Sequence, residues 1–213
     1  MKHYFKIIFS FLLISPTVFC QEPSYSTLQK VLPLDMHGWF SASNEQYLTE
    51  FIKKRNPKLV VEVGVWLGRS AIHMAHLLEK DATLYAVDHW QGQYYWKNPG
   101  HEIIDRLPTL YEQFLSNVIH MKLTDVIVPV KMSSLQAAEH LDIKADLIYI
   151  DASHTQDDVF NDIMAWSKKL APNGLLCGDD WAYIEVQKGV YQAAHSLDKQ
   201  VKYIGNLWYF DSK

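Results

Sequence analysis

Residues 59–70 read LVVEVGVWLGRS, and they determine how the rest of the chain is interpreted. The apolar, β-branched run 59–63 is typical of a buried strand. Gly64 then predicts a tight turn, and residues 70–80 carry apolar side chains at helical spacing. A strand that leads through a glycine turn into a helix is the first unit of an α/β fold.

The same alternation of strand and helix continues along the chain on both sides of this unit. Further strands are predicted at 82–87, 126–130, 146–150 and 174–177, with two short strands within 201–210. Helices are predicted at 41–54, 110–121, 134–140, 155–170 and 184–197. Crossover connections of this kind produce a mostly parallel sheet with helices on both faces, and ligands bind outside the carboxyl ends of its strands.

Composition and charge restrict the class of protein. The chain has 213 residues, 48% of them hydrophobic, with 20 Lys+Arg against 24 Asp+Glu. These values exclude a disordered, collagen-like or multi-span membrane chain, and the length fits one larger domain. A net charge of −4 without a basic block argues against nucleic acid as a partner. Two cysteines, Cys20 and Cys177, are too few for a disulfide scaffold.

The first twenty residues differ from the rest. They read MKHYFKIIFSFLLISPTVFC, with Lys2 and Lys6 before an apolar run, which is the pattern of a signal peptide. The alternative is an uncleaved anchor that packs on the domain or attaches it to a membrane. We therefore expect a signal or anchor at 1–20, a linker at 21–40 and the folded domain at 41–213. A cleaved signal predicts export; an anchor predicts a cytoplasmic, membrane-attached domain.

The sequence of the glycine turn restricts the chemical class of ligand that can bind there. The chain lacks the Gly-Lys-Ser/Thr ending of a phosphate-binding loop, and Trp66 stands where the dinucleotide fingerprint needs its second glycine. What remains, E-x-G-x-x-x-G-x-S, suits a ligand with a carboxylate and a ribose but no phosphate. Asp88, at the end of the second strand, is placed to accept both ribose hydroxyls. The alternative for Asp88 is a capping or solvated loop acid.

These residues resemble those of class I S-adenosylmethionine-dependent methyltransferases, in particular the metal-dependent catechol and caffeoyl-CoA O-methyltransferases. The stretch IDASH at 150–154, together with GDDW at 178–181, is still more similar to the macrocin and cephalosporin-pathway enzymes. The resemblance covers roughly residues 38–210. It implies a Rossmann-like, seven-stranded sheet with helices on both faces, whose last two strands form an antiparallel hairpin.

The resemblance also implies roles for individual residues. Cofactor-binding residues would be Glu62, Gly64, Gly68, Ser70, Asp88, His89 and Ser133. A divalent ion, in the first place Mg²⁺, would be held by Asp151, Asp179 and Asp180, because three clustered carboxylates raise one another's pKa unless a cation joins them. His154 would be the catalytic base, with Asp151 beside it. The alternatives are acids that contact only the cofactor or cap a helix, and a histidine satisfied by the backbone.

A long connection at 89–108 contains Trp90, Tyr94, Tyr95 and Trp96. Loops of this length are typical of lids over a binding site, although these aromatic rings would equally cover the apolar core. His37 and Trp39 are expected to line the same cleft from the N-terminal side.

The sequence thus predicts Mg²⁺-assisted O-methylation of a hydroxylated small molecule with S-adenosylmethionine as methyl donor. Two alternatives stay open: a metal-independent methyltransferase, for example one that acts on nitrogen, and a non-catalytic, exported binding protein with the same fold. The expected partner is the small-molecule acceptor. Membrane attachment is expected only through residues 1–20, and the sequence leaves a homo-oligomer open.

Overall fold

Seven strands form one mixed sheet in the computed structural model, which describes residues 24–92 and 103–210. The strands are β1 (Leu59–Val63), β2 (Thr83–Asp88), β3 (Ile127–Lys131), β4 (Ala145–Ile150), β5 (Leu170–Gly178), β6 (Val201–Ile204) and β7 (Leu207–Phe210). Their order is β3-β2-β1-β4-β5-β7-β6. The first five run parallel, whereas β7 is antiparallel to both β5 and β6. The predicted fold and its terminal hairpin are confirmed.

Six α-helices accompany the strands within the described part of the chain. They are α1 (Ala42–Arg55), α2 (Arg69–Leu77), α3 (Leu110–His120), α4 (Ser134–His140), α5 (Gln156–Ser167) and α6 (Ile184–Ser196). Each was expected from the sequence, but two end early. Helix α2 stops because Leu78 is extended, and α5 stops because Leu170, expected on its apolar side, instead begins β5 beside Ala145.

The hydrophobic core lies on both faces of the sheet. Alternate residues of β1 belong to different layers: Val60 packs with helices α1, α2 and α3, while Val61 and Val63 pack with α4, α5 and α6. A strand whose two faces are both covered is continuously apolar, which is why 59–63 shows no polar alternation apart from Glu62.

The turns that follow the parallel strands are bonded to one another. Gly64 donates its N–H to the carbonyl of Val87 at 2.9 Å, and Asp151 donates to the carbonyl of Val63 at 2.7 Å. Asp179 donates in the same way to the last residue of β4 at 3.0 Å. The residues that follow β1, β4 and β5 are therefore fixed side by side at the carboxyl edge of the sheet.

The described part of the predicted linker, residues 24–40, lies against the domain. The Tyr25 hydroxyl donates to a carbonyl of β3 at 2.8 Å, and the backbone N–H groups of Leu32 and Asp35 donate to side chains of α3. Asn117 of α3 returns a hydrogen bond to the Asp35 carbonyl at 2.6 Å. This segment is thus held along one helix by backbone and side-chain hydrogen bonds.

Two expectations concern residues outside the described ranges: the signal or anchor at 1–20, and the lid aromatics at 94–96. Among the described residues, no helix combines the length and the apolar character that a membrane span requires.

Among the described glycines, Gly64 leaves the least room for a side chain. Its φ is +84°, and a Cβ atom there would overlap the carbonyl oxygen of Asp151. We expect Gly64→Ala to lower the free energy of unfolding by about 3 kcal/mol or more, because backbone strain and steric overlap add. Urea denaturation of the full chain measures this change. A loss below about 1 kcal/mol would contradict this close approach of the two turns.

Candidate functional site

The glycine turn keeps its shape although a tryptophan occupies its centre. Gly64 and Gly68 have φ values of +84° and +90°, and Trp66 between them has a φ of +52°. The Trp66 indole donates from Nε1 to Nδ1 of His37 at 3.3 Å, and its ring centroid lies 5.8 Å from that of Trp39. The two aromatic residues expected on the N-terminal side of the cleft therefore contact the turn itself.

Asp88 holds this turn from the neighbouring strand. Its Oδ2 accepts the N–H groups of Val65 and Trp66 at 2.9 and 3.0 Å, and its Oδ1 accepts that of Trp90 at 2.7 Å. A carboxylate offers about four acceptor positions. Three of them are taken, so about one is left for a ligand, whereas the predicted contact to both ribose hydroxyls needs two.

Glu62 lies completely buried beneath the turn. One of its oxygens accepts a hydrogen bond from the Ser70 hydroxyl, and Oε2 has no partner among the described residues. Burial, with a smaller contribution from Asp88 and Asp179, raises the pKa of Glu62 to about 8, although the Ser70 hydrogen bond opposes the shift. The carboxyl group is therefore mostly protonated at neutral pH, and it ties β1 to the first turn of α2.

The other two predicted cofactor residues lie at the same edge and make local hydrogen bonds. His89 Nδ1 accepts the N–H of Gln91 at 2.9 Å and lies 3.7 Å from Oδ1 of Asp88. Ser133 caps α4, and its hydroxyl donates to Gln136 Oε1 at 2.9 Å. Because β2 and β3 are paired neighbours, both residues follow adjacent strand ends.

Three predicted residues form one group of possible metal ligands. The nearest ligand atoms of Asp151, His154 and Asp180 all lie within 4.8 Å of one another, and Nε2 of His154 is 2.6 Å from Oδ2 of Asp180. The Asp151 carboxylate accepts no hydrogen bond from the described residues. Carboxylate oxygens are ligands for Mg²⁺ or Mn²⁺, and an imidazole adds a nitrogen that transition metals favour. The donor set therefore fits a divalent cation.

Asp179 lies apart from this group. Its Oδ1 accepts hydrogen bonds from the Asp180 N–H and from Nδ2 of Asn206, both at 2.6 Å, and its Oδ2 accepts the Tyr149 hydroxyl at 3.1 Å. The structure thus brings Asp151 and Asp180 together with His154, while the buried Asp179 carboxylate is directed into the fold.

Burial and these contacts shift the pKa values of the site's acids and of its histidine. Burial first, and then the neighbouring carboxylates of Asp179 and Asp180, raise the pKa of Asp151 well above its usual value. Burial likewise raises the pKa of Asp179. The hydrogen bond that His154 donates to Asp180 raises the pKa of His154, because a carboxylate favours the charged imidazolium. A cation bound here would compete with these protons.

Asn206 was missed by the sequence reasoning. It lies in the turn between β6 and β7, where its Oδ1 accepts the N–H of Ala182 at 2.9 Å and its carbonyl accepts that of Trp181 at 3.0 Å. With its bond to Asp179, it fixes the start of the segment after β5. The signal in the sequence was the Gly205-Asn206 pair inside the predicted hairpin.

Trp90, in the described part of the predicted lid, packs into the domain. It is buried, its ring stacks on Phe114 with centroids 4.8 Å apart, and its Nε1 donates to the Trp66 carbonyl at 2.8 Å. Trp90 therefore covers the apolar core and braces the glycine turn.

The comparison with protein families gives one match. A family model described as a methyltransferase domain matches residues 61–181, more than half of the chain. This range begins in β1 and ends just after Asp180, so it contains the glycine turn and the group of three possible ligands. No curated protein sequence matches the chain.

Solved structures share the fold at low sequence identity. TomG of Streptomyces achromogenes, an O-methyltransferase of tomaymycin synthesis solved in complex with S-adenosylmethionine, is 16% identical, with a TM-score of 0.59 over 90% of this chain and 91% of its own. A methyltransferase from Geobacter sulfurreducens is also 16% identical, with a TM-score of 0.56 over 80% of each chain. At these identities the likeness concerns the fold alone.

The protonation of Glu62 predicts a measurable pH dependence. Its pKa rises from 4.5 in the unfolded chain to about 8 in the folded one, so the unfolded state loses this proton first. The free energy of unfolding should therefore fall as pH rises through that window, by up to about 1.4 kcal/mol per pH unit. Glu62→Gln, which cannot ionise, should remove this part of the slope in denaturation at several pH values.

Glu185, on α6, provides a control on the surface, where its carboxyl pairs with Lys188 at 2.6 Å. Glu185→Gln should leave the part of the slope that comes from Glu62 in place. Equal slopes for wild type and Glu62→Gln would contradict a buried, protonated Glu62.

Proposed function

The chain belongs to the methyltransferase-domain family, and we propose that it methylates a hydroxyl oxygen of a small molecule, with S-adenosylmethionine as methyl donor and a divalent cation such as Mg²⁺ as an aid. One observation carries the proposal. The group of Asp151, His154 and Asp180 lies directly against the glycine turn, where Asp151 and Gly64 are in backbone contact. A base and a site for a cation therefore adjoin the turn expected to bind the methyl donor.

The glycine turn and its neighbours would bind the methyl donor. S-adenosylmethionine supplies a methyl group bonded to a positively charged sulfur. Gly64 and Gly68 would let its polar groups approach the backbone, and Asp88 would accept one ribose hydroxyl while holding the turn. Glu62, which is buried beneath the turn, would hold Ser70 in place through the hydrogen bond between their side chains. His89 and Ser133 are proposed beside the adenosine.

His154 would accept the proton of the hydroxyl that is methylated. A carboxylate can only accept a hydrogen bond, so Nε2 of His154 carries the hydrogen that faces Asp180. In the neutral imidazole this leaves Nδ1 as the acceptor nitrogen. Transfer of the hydroxyl proton to Nδ1 would produce an imidazolium, which the adjacent Asp180 would stabilise. As the oxygen forms its bond to the methyl carbon, the carbon–sulfur bond of the donor would break, and its electron pair would leave with sulfur as the neutral thioether S-adenosylhomocysteine.

Asp151 and Asp180 would hold the cation. The buried Asp179 carboxylate would add negative charge near the site. A bound divalent cation lowers the pKa of a hydroxyl that ligates it. Asp180 raises the pKa of His154, and it would do so less if it shared its charge with a cation, which would favour the neutral imidazole that can accept a proton.

A metal-independent reaction is the second candidate, because the 2.6 Å contact of His154 with Asp180 is complete without a cation. In that case this pair alone would remove the proton. Both candidates need S-adenosylmethionine and His154, and they differ in their response to chelation.

The methyl donor is tested by calorimetric titration of the full chain. We expect S-adenosylmethionine to bind, and Asp88→Asn to weaken binding about tenfold or more through loss of a charged hydrogen bond and of support for the turn. Asp81→Asn is the matched control, since Asp81 is exposed and pairs with Lys58 before β2. A well-folded wild type without detectable binding would contradict the proposal and leave a binding protein that uses this fold.

The cation is tested by transfer of a labelled methyl group to a panel of hydroxylated acceptors. With cation assistance, a chelator and Asp180→Asn should each lower the rate by about tenfold or more, and added Mg²⁺ should reverse the chelator's effect. His154→Gln should abolish transfer, whereas His140→Gln, at an exposed histidine of α4, should not. If chelation has no effect while His154→Gln still abolishes transfer, the metal-independent reaction is the correct one.

A further inference from the structure

Tyr183 lies where packing of the core does not require an aromatic residue. Its side chain is 53% exposed, and as the residue before α6 it makes no capping hydrogen bond with its side chain. Its ring nevertheless stacks on the imidazole of His154, with the centroids 5.0 Å apart and the planes at 15°. An exposed tyrosine is thus placed in parallel contact with the proposed base.

Backbone hydrogen bonds fix the turn that carries Tyr183. The Tyr183 N–H donates to the carbonyl of Asp180 at 2.9 Å, which closes a turn in which Asp180 has a φ of +64°. Asn206 fixes the middle of the same turn through the N–H groups of Trp181 and Ala182. One anchored turn therefore presents both a carboxylate and an aromatic ring to His154.

The two contacts constrain the imidazole in different ways. The loop that carries His154 is fixed on both sides: Asp151 donates to the carbonyl of Val63, and Thr155 caps α5. The contact with Asp180 fixes a single atom, Nε2, and still lets the ring rotate about that point. A parallel aromatic ring removes this freedom because it fixes the plane of the imidazole.

We propose that Tyr183 is a positioning residue that fixes the plane of the His154 imidazole and thereby directs Nδ1 toward the acceptor hydroxyl. This inference rests on the proposed function, in which Nδ1 accepts the proton. The contact is made by the aromatic ring, so the phenolic hydroxyl is not required. A change in ring orientation moves Nδ1 away from the proton that it accepts, and the rate of a proton transfer depends steeply on that distance.

Tyr191, on α6, which begins directly after Tyr183, provides a matched control. It is 54% exposed, and its ring contacts Trp181 edge-on, with centroids 5.5 Å apart, instead of His154. Tyr183→Leu and Tyr191→Leu therefore each remove one similarly exposed aromatic ring, 53% and 54% exposed. Only the first change removes the ring from His154.

The kinetic test compares Tyr183→Leu, Tyr183→Phe and Tyr191→Leu in the full chain with a hydroxylated acceptor that supports transfer. We expect Tyr183→Leu to lower kcat about 10- to 100-fold, with little change in the KM for S-adenosylmethionine. Tyr183→Phe should restore kcat to within about twofold of wild type, because it keeps the ring. A kcat in Tyr183→Leu equal to that in Tyr191→Leu would overturn the inference.

An acceptor-independent test uses the NMR resonances of the His154 ring protons, assigned by their loss in His154→Gln. At one fixed pH, the ring current of Tyr183 should shift them in wild type, Tyr183→Phe and Tyr191→Leu alike, and the shift should disappear in Tyr183→Leu. Identical resonances in wild type and Tyr183→Leu would overturn the inference. A wild type that transfers no methyl group would overturn the proposed function, and these resonances would still decide whether Tyr183 fixes the imidazole.

Discussion

Repulsion among carboxyl groups at one edge of the sheet is the constraint on which the site depends. Parallel strands end together, so the acids that follow them or terminate them are forced close, and each is accommodated differently. Glu62 is buried and protonated. Asp88 accepts hydrogen bonds from backbone N–H groups, and Asp179 accepts them from side-chain donors and one backbone N–H. Asp151 and Asp180 retain the least protein compensation, with a histidine beside them. The remaining negative charge can be balanced only by protons or by a bound cation.

This electrostatic arrangement suits the proposed reaction. The methyl donor carries a positive sulfonium, and its charge is lost when the methyl group leaves, so an acidic site favours the donor over the spent cofactor. The same charge favours a divalent cation, and it keeps His154 next to a carboxylate that stabilises its protonated form. Membership of the methyltransferase-domain family agrees with this chemistry, whereas the identity of the acceptor depends on side chains that the fold does not determine.

Local patterns in the sequence predicted the helices and strands. Contacts between distant parts of the chain determined how individual side chains of the site are held. The β1–turn–α2 unit was predictable because a buried strand, two glycines and a helical period follow one another within 59–80. Convergence of the acids was predictable because parallel strands share an edge. That Asp179 is held by hydrogen bonds within the fold was not, because its partner Asn206 lies in a distant hairpin that pairs with β5. The stacking of Tyr183 likewise depends on the left-handed backbone of Asp180, a conformation that periodicity does not reveal.

The most direct test of this account is calorimetric titration of the full chain with Mn²⁺ near neutral pH, in buffers of different ionisation enthalpy. Burial raises the pKa of Asp151 and Asp179, and the contact with Asp180 raises that of His154, so we expect a cation that occupies the site to compete with protons and to release some into the buffer. We expect about one Mn²⁺ to bind per chain, with a heat of binding that depends on the buffer. Asp151→Asn should abolish this binding. Absence of binding, or binding without proton release, would contradict this account.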